Sequence, residues 1–265
     1  MQHIARKRFG QHFLHDRHVI AEIIAAIEIQ TTDLVVEIGP GLGALTEPLL
    51  KKLPHLHVIE LDRDLAAYLR ERHAPPRLTV HEQDALKFDL TTLGNDIRLV
   101  GNLPYNISTP LLFHFAHFLE QLRDGHFMLQ LEVVERMVAA PGSSSYGRLS
   151  VMLQVDFDMD LLLHIPPDAF TPPPKVDSAI VRMLPIRDKR YGLVDRALFE
   201  KVVARAFTQR RKTLRNSLSA FLTPQDFRTL EIDSILRAEN LGVEDYVKIT
   251  NYLALRGNGS VAPSA

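Results

Sequence analysis

Residues 34–50 read LVVEIGPGLGALTEPLL. A β-prone apolar run at 34–39 stops at a glycine, and glycines at 39, 41 and 43 lead into a helix-forming stretch at 44–53. Glycine tolerates positive φ and lets backbone approach a neighbour closely, so the loop is a tight turn from strand to helix. Working outward, 56–62 (LHVIELD) reads as a strand and 63–73 (RDLAAYLRERH) as a helix. A third strand lies within 77–86 and a fourth within 96–102. Thr109 then caps a helix that opens on Pro110. A fifth strand follows at 126–133, and 176–185 is a late strand that closes the sheet. Upstream, Val19 to Ile27 is apolar at helical spacing. Alternating strands and helices predict a mostly parallel sheet covered on both faces, with ligands bound outside the carboxyl ends of the strands.

After about residue 186 the pattern turns helical, with helices predicted at 195–207, 209–221, 224–230, 233–237 and 243–254. The expected domains are 1–185, an α/β catalytic domain, and 186–256, a small helical domain, with 257–265 a frayed tail. The 265 residues suit that arrangement, and 46% apolar content supplies a core. The chain has no cysteine, which excludes disulfides and thiolate metal sites. No signal peptide or membrane-length apolar run is visible, so a cytoplasmic protein is expected. The net charge of −1 is unevenly spread. Residues 1–185 carry 17 Lys and Arg against 23 Asp and Glu, whereas residues 186–265 carry 14 against 9. A basic C-terminal part suggests an anionic macromolecular partner, although imbalances of this size are common.

Glu60 ends the strand after the glycine loop, where a carboxylate can accept both hydroxyls of a ribose. Gly39-x-Gly41-x-x-Ala44 also fits the dinucleotide fingerprint, so a dehydrogenase is an open reading. Asp84 follows the third strand, where it suits the amine of an adenine or, equally, a helix cap. Glutamate, aspartate and glycine loop together resemble the layout of S-adenosylmethionine methyltransferases.

The fourth strand ends in Gly101-Asn102-Leu103-Pro104-Tyr105. An adenine amine is a poor nucleophile because its lone pair is delocalised into the ring. Two acceptors holding the amine hydrogens favour a pyramidal nitrogen aimed at a methyl donor. The Asn102 side chain and the Leu103 carbonyl can be those acceptors, with Pro104 fixing Leu103 in an extended conformation. Tyr105 supplies a flat face for an extruded base. The bland alternative is an Asn-Pro turn with a packing tyrosine.

Several long segments in order resemble the KsgA family of small-subunit ribosomal RNA adenine N6-dimethyltransferases. They are RKRFGQHFL (6–14), VVEIGPGLGALT (35–46), VIELDRDLA (58–66), QDAL (83–86), GNLPYNISTPLL (101–112), YGRLSV (146–151), AFTPPPKVDSAIVR (169–182) and AFTQRRKTLRNSL (206–218). The resemblance covers about residues 5–255. It implies a Rossmann-like class I methyltransferase sheet with a small C-terminal helical domain. The implied activity is S-adenosylmethionine-dependent transfer of two methyls to each of two adjacent adenines in the 3′-terminal hairpin of that RNA, within a pre-30S particle. It also implies a monomer with no metal and no membrane. Carried over by motif, Gln11, His12, Leu14, Gly39, Gly41, Glu60, Leu61, Asp84, Ala85 and Asn102 would hold the cofactor. Asn102, Leu103, Pro104, Tyr105 and Phe170 would hold the target base, with Phe170 facing the tyrosine across it. Two positions depart from the pattern: His12 stands where the family usually has Asn, and Leu131 where Lys is expected.

Residues 205–218 carry five cations and no acid. On an ideal helix, at about 100° per residue, Arg205, Arg211, Lys212 and Arg215 fall within roughly 120° of arc. Such runs are usually solvated faces. Beside Arg6, Lys7 and Arg8 and a base-modifying site, they are read as RNA phosphate contacts. The nearest enzyme alternative is an erythromycin-resistance type methyltransferase acting on 23S ribosomal RNA. A non-catalytic ribosome-assembly factor is the alternative from another class.

Overall fold

The computed structural model describes residues 12–73, 75–188, 190–209 and 211–258. It opens with a short strand β1 (Phe13–Leu14) and helix α1 (Arg17–Ile27). Then come β2 (Leu34–Ile38), α2 (Thr46–Lys52), β3 (Leu56–Glu60), α3 (Arg63–Arg72), β4 (Leu78–Glu82) and β5 (Ile97–Asn102). They are followed by α4 (Ser108–Phe115), β6 (Leu122–Gln130), α5 (Leu131–Val138), α6 (Arg148–Gln154) and β7 (Phe157–Ile165). After β8 (Phe170–Thr171) and β9 (Ser178–Pro185), the chain is helical: α7 (Arg196–Phe207), α8 (Leu214–Ser217), α9 (Pro224–Thr229) and α10 (Val243–Asn258).

Seven strands form one sheet in the order β4-β3-β2-β5-β6-β9-β7. β2 pairs in parallel with both β3 and β5, β3 with β4 and β5 with β6, while β9 runs antiparallel to β6. The order reverses between β2 and β5, and the carboxyl ends of those strands flank the crevice where such sheets bind ligands. The central strands are apolar on both faces: Val35, Val36, Ile38, Val58, Ile59, Leu99 and Val100 are all buried. Ile23, Ile24 and Ile27 of α1 pack into the same core. Asp16 caps α1 by accepting from the His18 and Val19 amides.

At the amino ends of β5 and β6 lies a buried ion cluster. Arg98 donates to Asp124 at 2.8 Å, to Asp33 at 2.7 Å and to the Ile27 carbonyl at 2.7 Å. It thus ties the end of α1 to two central strands. Burial pulls both carboxylates up, but His126 and Arg98 at Asp124, and the Gln30 amide and Arg98 at Asp33, hold them below the ordinary value.

The compact units change over between Pro185 and Ile186, where a boundary was expected, and also on either side of an earlier segment. One compact unit holds the chain up to Val134 together with Asp158–Pro185; the other holds Glu135–Phe157 with the chain from Ile186 onward. The reason is a set of contacts distant in sequence. Asp156 is buried against Arg196 at 2.7 Å, and its carbonyl accepts from the Ile186 amide at 2.8 Å. The predicted 257–265 tail lies outside the described residues from 259 on.

Two local readings also differ. α4 begins at Ser108, so Thr109 is inside the helix and not its cap. β7 was not anticipated: Asp158 and Asp160 interrupt its apolar pattern because it is an edge strand with those side chains exposed.

Candidate functional site

A cavity of ≈ 630 Å³ opens at the carboxyl ends of β2, β3 and β5. Its floor is the glycine loop. Gly41 has φ +58°, and a Cβ there would sit 3.4 Å from the Phe13 ring. Gly101, one residue before Asn102, faces a tighter limit: its Cβ would lie 2.5 Å from the Ile38 carbonyl oxygen. Glycine at 41 lets the loop after β2 lie against Phe13 of β1, and glycine at 101 lets β5 close against the end of β2.

Glu60 ends β3 with 7% exposure. One carboxylate oxygen accepts from the Gly41 amide at 3.3 Å and the other from the Asp62 amide at 2.8 Å. Burial pushes its pKa above the ordinary carboxylate value, against the pull of those amides. A carboxylate has about four acceptor positions. Two are used by backbone, and the others suit a pair of ligand hydroxyls. Beneath it Glu37 is fully buried and its pKa is pushed up to about 8 by burial, with the Thr46 hydroxyl donating to it at 2.6 Å. Asp84 both lines the cavity and caps the short turn after β4, accepting from the Leu86 amide at 3.0 Å. Gly39, Ala85 and Leu14 line the cavity too, and Leu61 stands at its rim, 52% exposed.

Asn102 leaves β5 with its side-chain nitrogen donating to the His12 carbonyl at 3.2 Å. Leu103 is buried and its amide donates to Met128 at 3.2 Å. Among the described residues, neither the Asn102 side-chain oxygen nor the Leu103 carbonyl accepts a hydrogen bond. Two acceptors therefore remain free, adjacent in sequence, on a cavity that also holds Glu60. Pro104 follows, and Tyr105 is anchored at both ends. Its hydroxyl pairs with the Ser178 hydroxyl at 2.7 Å, and its carbonyl accepts from Ser108 at 3.1 Å. Burial pushes the phenol upward.

Phe170 is not brought to this site. β8 pairs with β1 so that Phe170 lies opposite Leu14, and it is 2% exposed within the hydrophobic core. Thr171, its neighbour, reaches the cavity instead. The ring that faces Tyr105 is His12, 5.7 Å away between centroids and inclined by 27°. Gln11, Arg6, Lys7 and Arg8 lie outside the described residues.

Arg205, Arg211, Lys212 and Arg215 are all exposed, in the second compact unit. They do not share one helix. α7 stops at Phe207, Arg211 and Lys212 lie in the connection, and Arg215 is on the four-residue α8. Thr213 pairs with Arg237, and the Leu214 amide donates to Leu236, which breaks the predicted continuous helix. Among the described residues no group of acidic and histidine side chains is arranged to hold a metal ion. None of their helices is long and apolar enough to cross a membrane.

The sequence alone assigns no role to Gly101, Thr171 or Ser178. Only Gly101 carried a visible signal, a glycine at the penultimate position of a strand that ends in a polar residue.

Residues 2–255 match the family described as Ribosomal RNA adenine dimethylase. A protein of Thiobacillus denitrificans named Ribosomal RNA small subunit methyltransferase A is 61% identical over 254 residues, 96% of this chain and all of that one. One of the same name from Aromatoleum aromaticum is 59% identical, covering 98% of each chain. Among solved structures, a dimethyladenosine transferase from Plasmodium falciparum superimposes with a TM-score of 0.81 at 26% identity, covering 93% of this chain and 98% of that one. The 23S rRNA methyltransferase ErmE shares the fold, with a TM-score of 0.71 at 24% identity over 91% of this chain and 99% of that one.

Proposed function

The chain belongs to the ribosomal RNA adenine dimethylase family, and we propose that it methylates N6 of two adjacent adenines in the 3′-terminal hairpin of small-subunit ribosomal RNA. It is an S-adenosylmethionine-dependent enzyme of class I methyltransferase fold that dimethylates adenine in 16S ribosomal RNA. The observation that carries the finer reading is the pair of unengaged acceptors, Asn102 and Leu103, on the cavity that also holds Glu60 and the glycine loop.

When bound, S-adenosylmethionine supplies an electrophilic methyl. The chain's own residues do the rest. Glu60 accepts the ribose hydroxyls, and Asp84 with Ala85 edges the adenine end. The glycine loop, with Gly39 and Gly41, lets backbone lie close along the cofactor. Asn102 Oδ1 and the Leu103 carbonyl take the two amine hydrogens of the target base, and Tyr105 offers it a face. No side chain need act as a strong base, because the amine proton becomes acidic only once the nitrogen has bonded to the methyl carbon. The enzyme works as a cytoplasmic monomer on a pre-30S particle. The relatives' shared name, which specifies the small subunit, supports that choice of substrate.

The test is incubation with labelled S-adenosylmethionine and undermethylated small subunits, followed by mapping of the label. Two adjacent dimethylated adenines near the 3′ end are expected. Label at any other position of the small-subunit RNA, or none at all, would overturn the assignment.

Glu60→Ala is expected to weaken S-adenosylmethionine binding at least roughly tenfold, because a hydrogen bond to a charged group is worth ~1.5–3 kcal/mol. Calorimetry reads this directly, with Glu60→Gln as a milder variant that keeps the shape and one of the two backbone contacts, to Gly41 or to Asp62. Unchanged affinity in a folded Ala variant removes Glu60 from the site.

The exposed cations of the second unit hold RNA phosphates. Replacing Arg211, Lys212 and Arg215 together should lower RNA affinity and flatten its salt dependence, at a slope of about −0.7 to −0.9 per lost contact. Cofactor affinity should not change. An unaltered salt slope would return these side chains to an ordinary solvated surface.

A further inference from the structure

We propose that His114 is a positioning residue for the cofactor, latching the turn that meets the adenine to helix α4. This rests on the reading above that Asp84 and Ala85 edge the adenine end of the cavity. The imidazole Nε2 of His114 lies 3.0 Å from the Phe88 carbonyl oxygen, 26 positions away in sequence. A carbonyl only accepts, so Nε2 carries the proton and donates. Phe118 meets the imidazole edge-on, with 5.1 Å between centroids, and steadies the ring.

The turn Ala85–Lys87 is shaped by its own residues. Asp84 accepts from the Leu86 amide through its side chain and from the Lys87 amide, at 2.9 Å, through its carbonyl. Gln83 donates to the Lys87 carbonyl at 3.3 Å. These bonds are all local, so they set the form of the turn and not where it stands. At Phe88 the attachments reach other elements. Its ring is 6% exposed and packs edge-on to His81 of β4, 4.9 Å between centroids. Its carbonyl is held by His114 in the last turn of α4. Leu111, three positions before His114 and so on the same helix face, is fully buried and lines the cavity with Asp84, Ala85 and Leu86. One face of α4 thus borders the cofactor cavity and fixes the segment that the adenine meets. Without the latch, the ligand has to order that segment itself, and the cost falls on affinity. The chemical step is spared, because His114 touches no reacting atom.

The experiment compares His114→Leu, which loses the donor, with His114→Gln, which keeps an N–H at similar reach. Calorimetry measures S-adenosylhomocysteine and 5′-methylthioadenosine, which share the adenine and differ in the amino-acid tail. The Leu variant is expected to bind both more weakly by the same factor, roughly three- to tenfold, the span of one hydrogen bond. The Gln variant is expected to restore wild-type affinity. In ligand-free protein, the amides of residues 86–88 should exchange hydrogen faster in the Leu variant and at the wild-type rate in the Gln variant. On undermethylated small subunits, the Leu variant should show a raised KM for S-adenosylmethionine, with kcat and KM for RNA unchanged. Wild-type affinity in the Leu variant overturns the proposal. So does a Gln variant as weak as Leu, since the donor would then not matter. A loss seen with S-adenosylhomocysteine and absent with 5′-methylthioadenosine overturns it too, because the effect would then lie at the tail. Wild-type protein that binds neither ligand would overturn the cofactor reading itself, and the proposal with it.

Discussion

Asn102→Ala is expected to leave RNA bound and yet slow methyl transfer by ~10²–10³, the usual cost of removing one positioned polar group at a reacting centre. RNA affinity comes mainly from many phosphate contacts, to which one base contact adds little. Alignment of the amine, in contrast, matters most in the transition state. The side chain stands at the end of β5 with its nitrogen held by His12 and its oxygen free, so alanine removes an oriented acceptor. Because Asn102 also borders the cofactor cavity, the comparison is made in single turnover at saturating S-adenosylmethionine. A near wild-type rate under those conditions would make Asn102 a turn residue and send the search for amine acceptors elsewhere.

Arg98→Ala is expected to cost ~3–5 kcal/mol of stability, the range for breaking a buried ion pair and leaving one partner behind. The Asp124 side chain is 9% exposed and loses its bidentate donor, with His126 left at 3.6 Å. Asp33 keeps Arg123 at 2.7 Å, so the damage concentrates on Asp124 and on the carbonyl end of α1. Arg98→Lys should fall between, since an ammonium keeps the charge and loses the planar fork. Urea unfolding of the full chain reads both. A loss below about 1 kcal/mol for alanine would place the cluster with ordinary surface pairs. The outcome bears on function because Arg98 and Asn102 occupy the same strand, four positions apart, at opposite ends.

The parallel sheet and its ligand crevice were legible because their signals are local. Glycines follow an apolar run at 34–38, and polar residues sit where strands end, at Glu60 and Asn102. What escaped depends on pairings far apart in sequence. Phe170 looks like a stacking aromatic until its register against Leu14 buries it. Ser178 looks like a strand residue until it meets Tyr105, 73 positions away. The cations at 205–215 follow a helical period that Thr213 interrupts by pairing with Arg237. Asp156 carries no local signal of burial, and one of its partners, Arg196, lies 40 positions away.

The interleaved division of the chain sets an order of events during synthesis. Every strand of the seven-stranded sheet has been made once β9 ends at Pro185, one residue before the second unit resumes. At that moment the Glu135–Phe157 segment is still waiting. The buried residues Val151, Met152 and Leu153 of α6 are apolar, and Asp156 leaves the ribosome 40 residues ahead of the arginine that neutralises it. Domains generally fold as units in the order they emerge. Here a completed sheet must carry an unfinished excursion until the C-terminal helices arrive. A nascent chain halted at residue 185 is therefore a finished sheet with an exposed apolar segment, a form for chaperones to hold and for proteases to find.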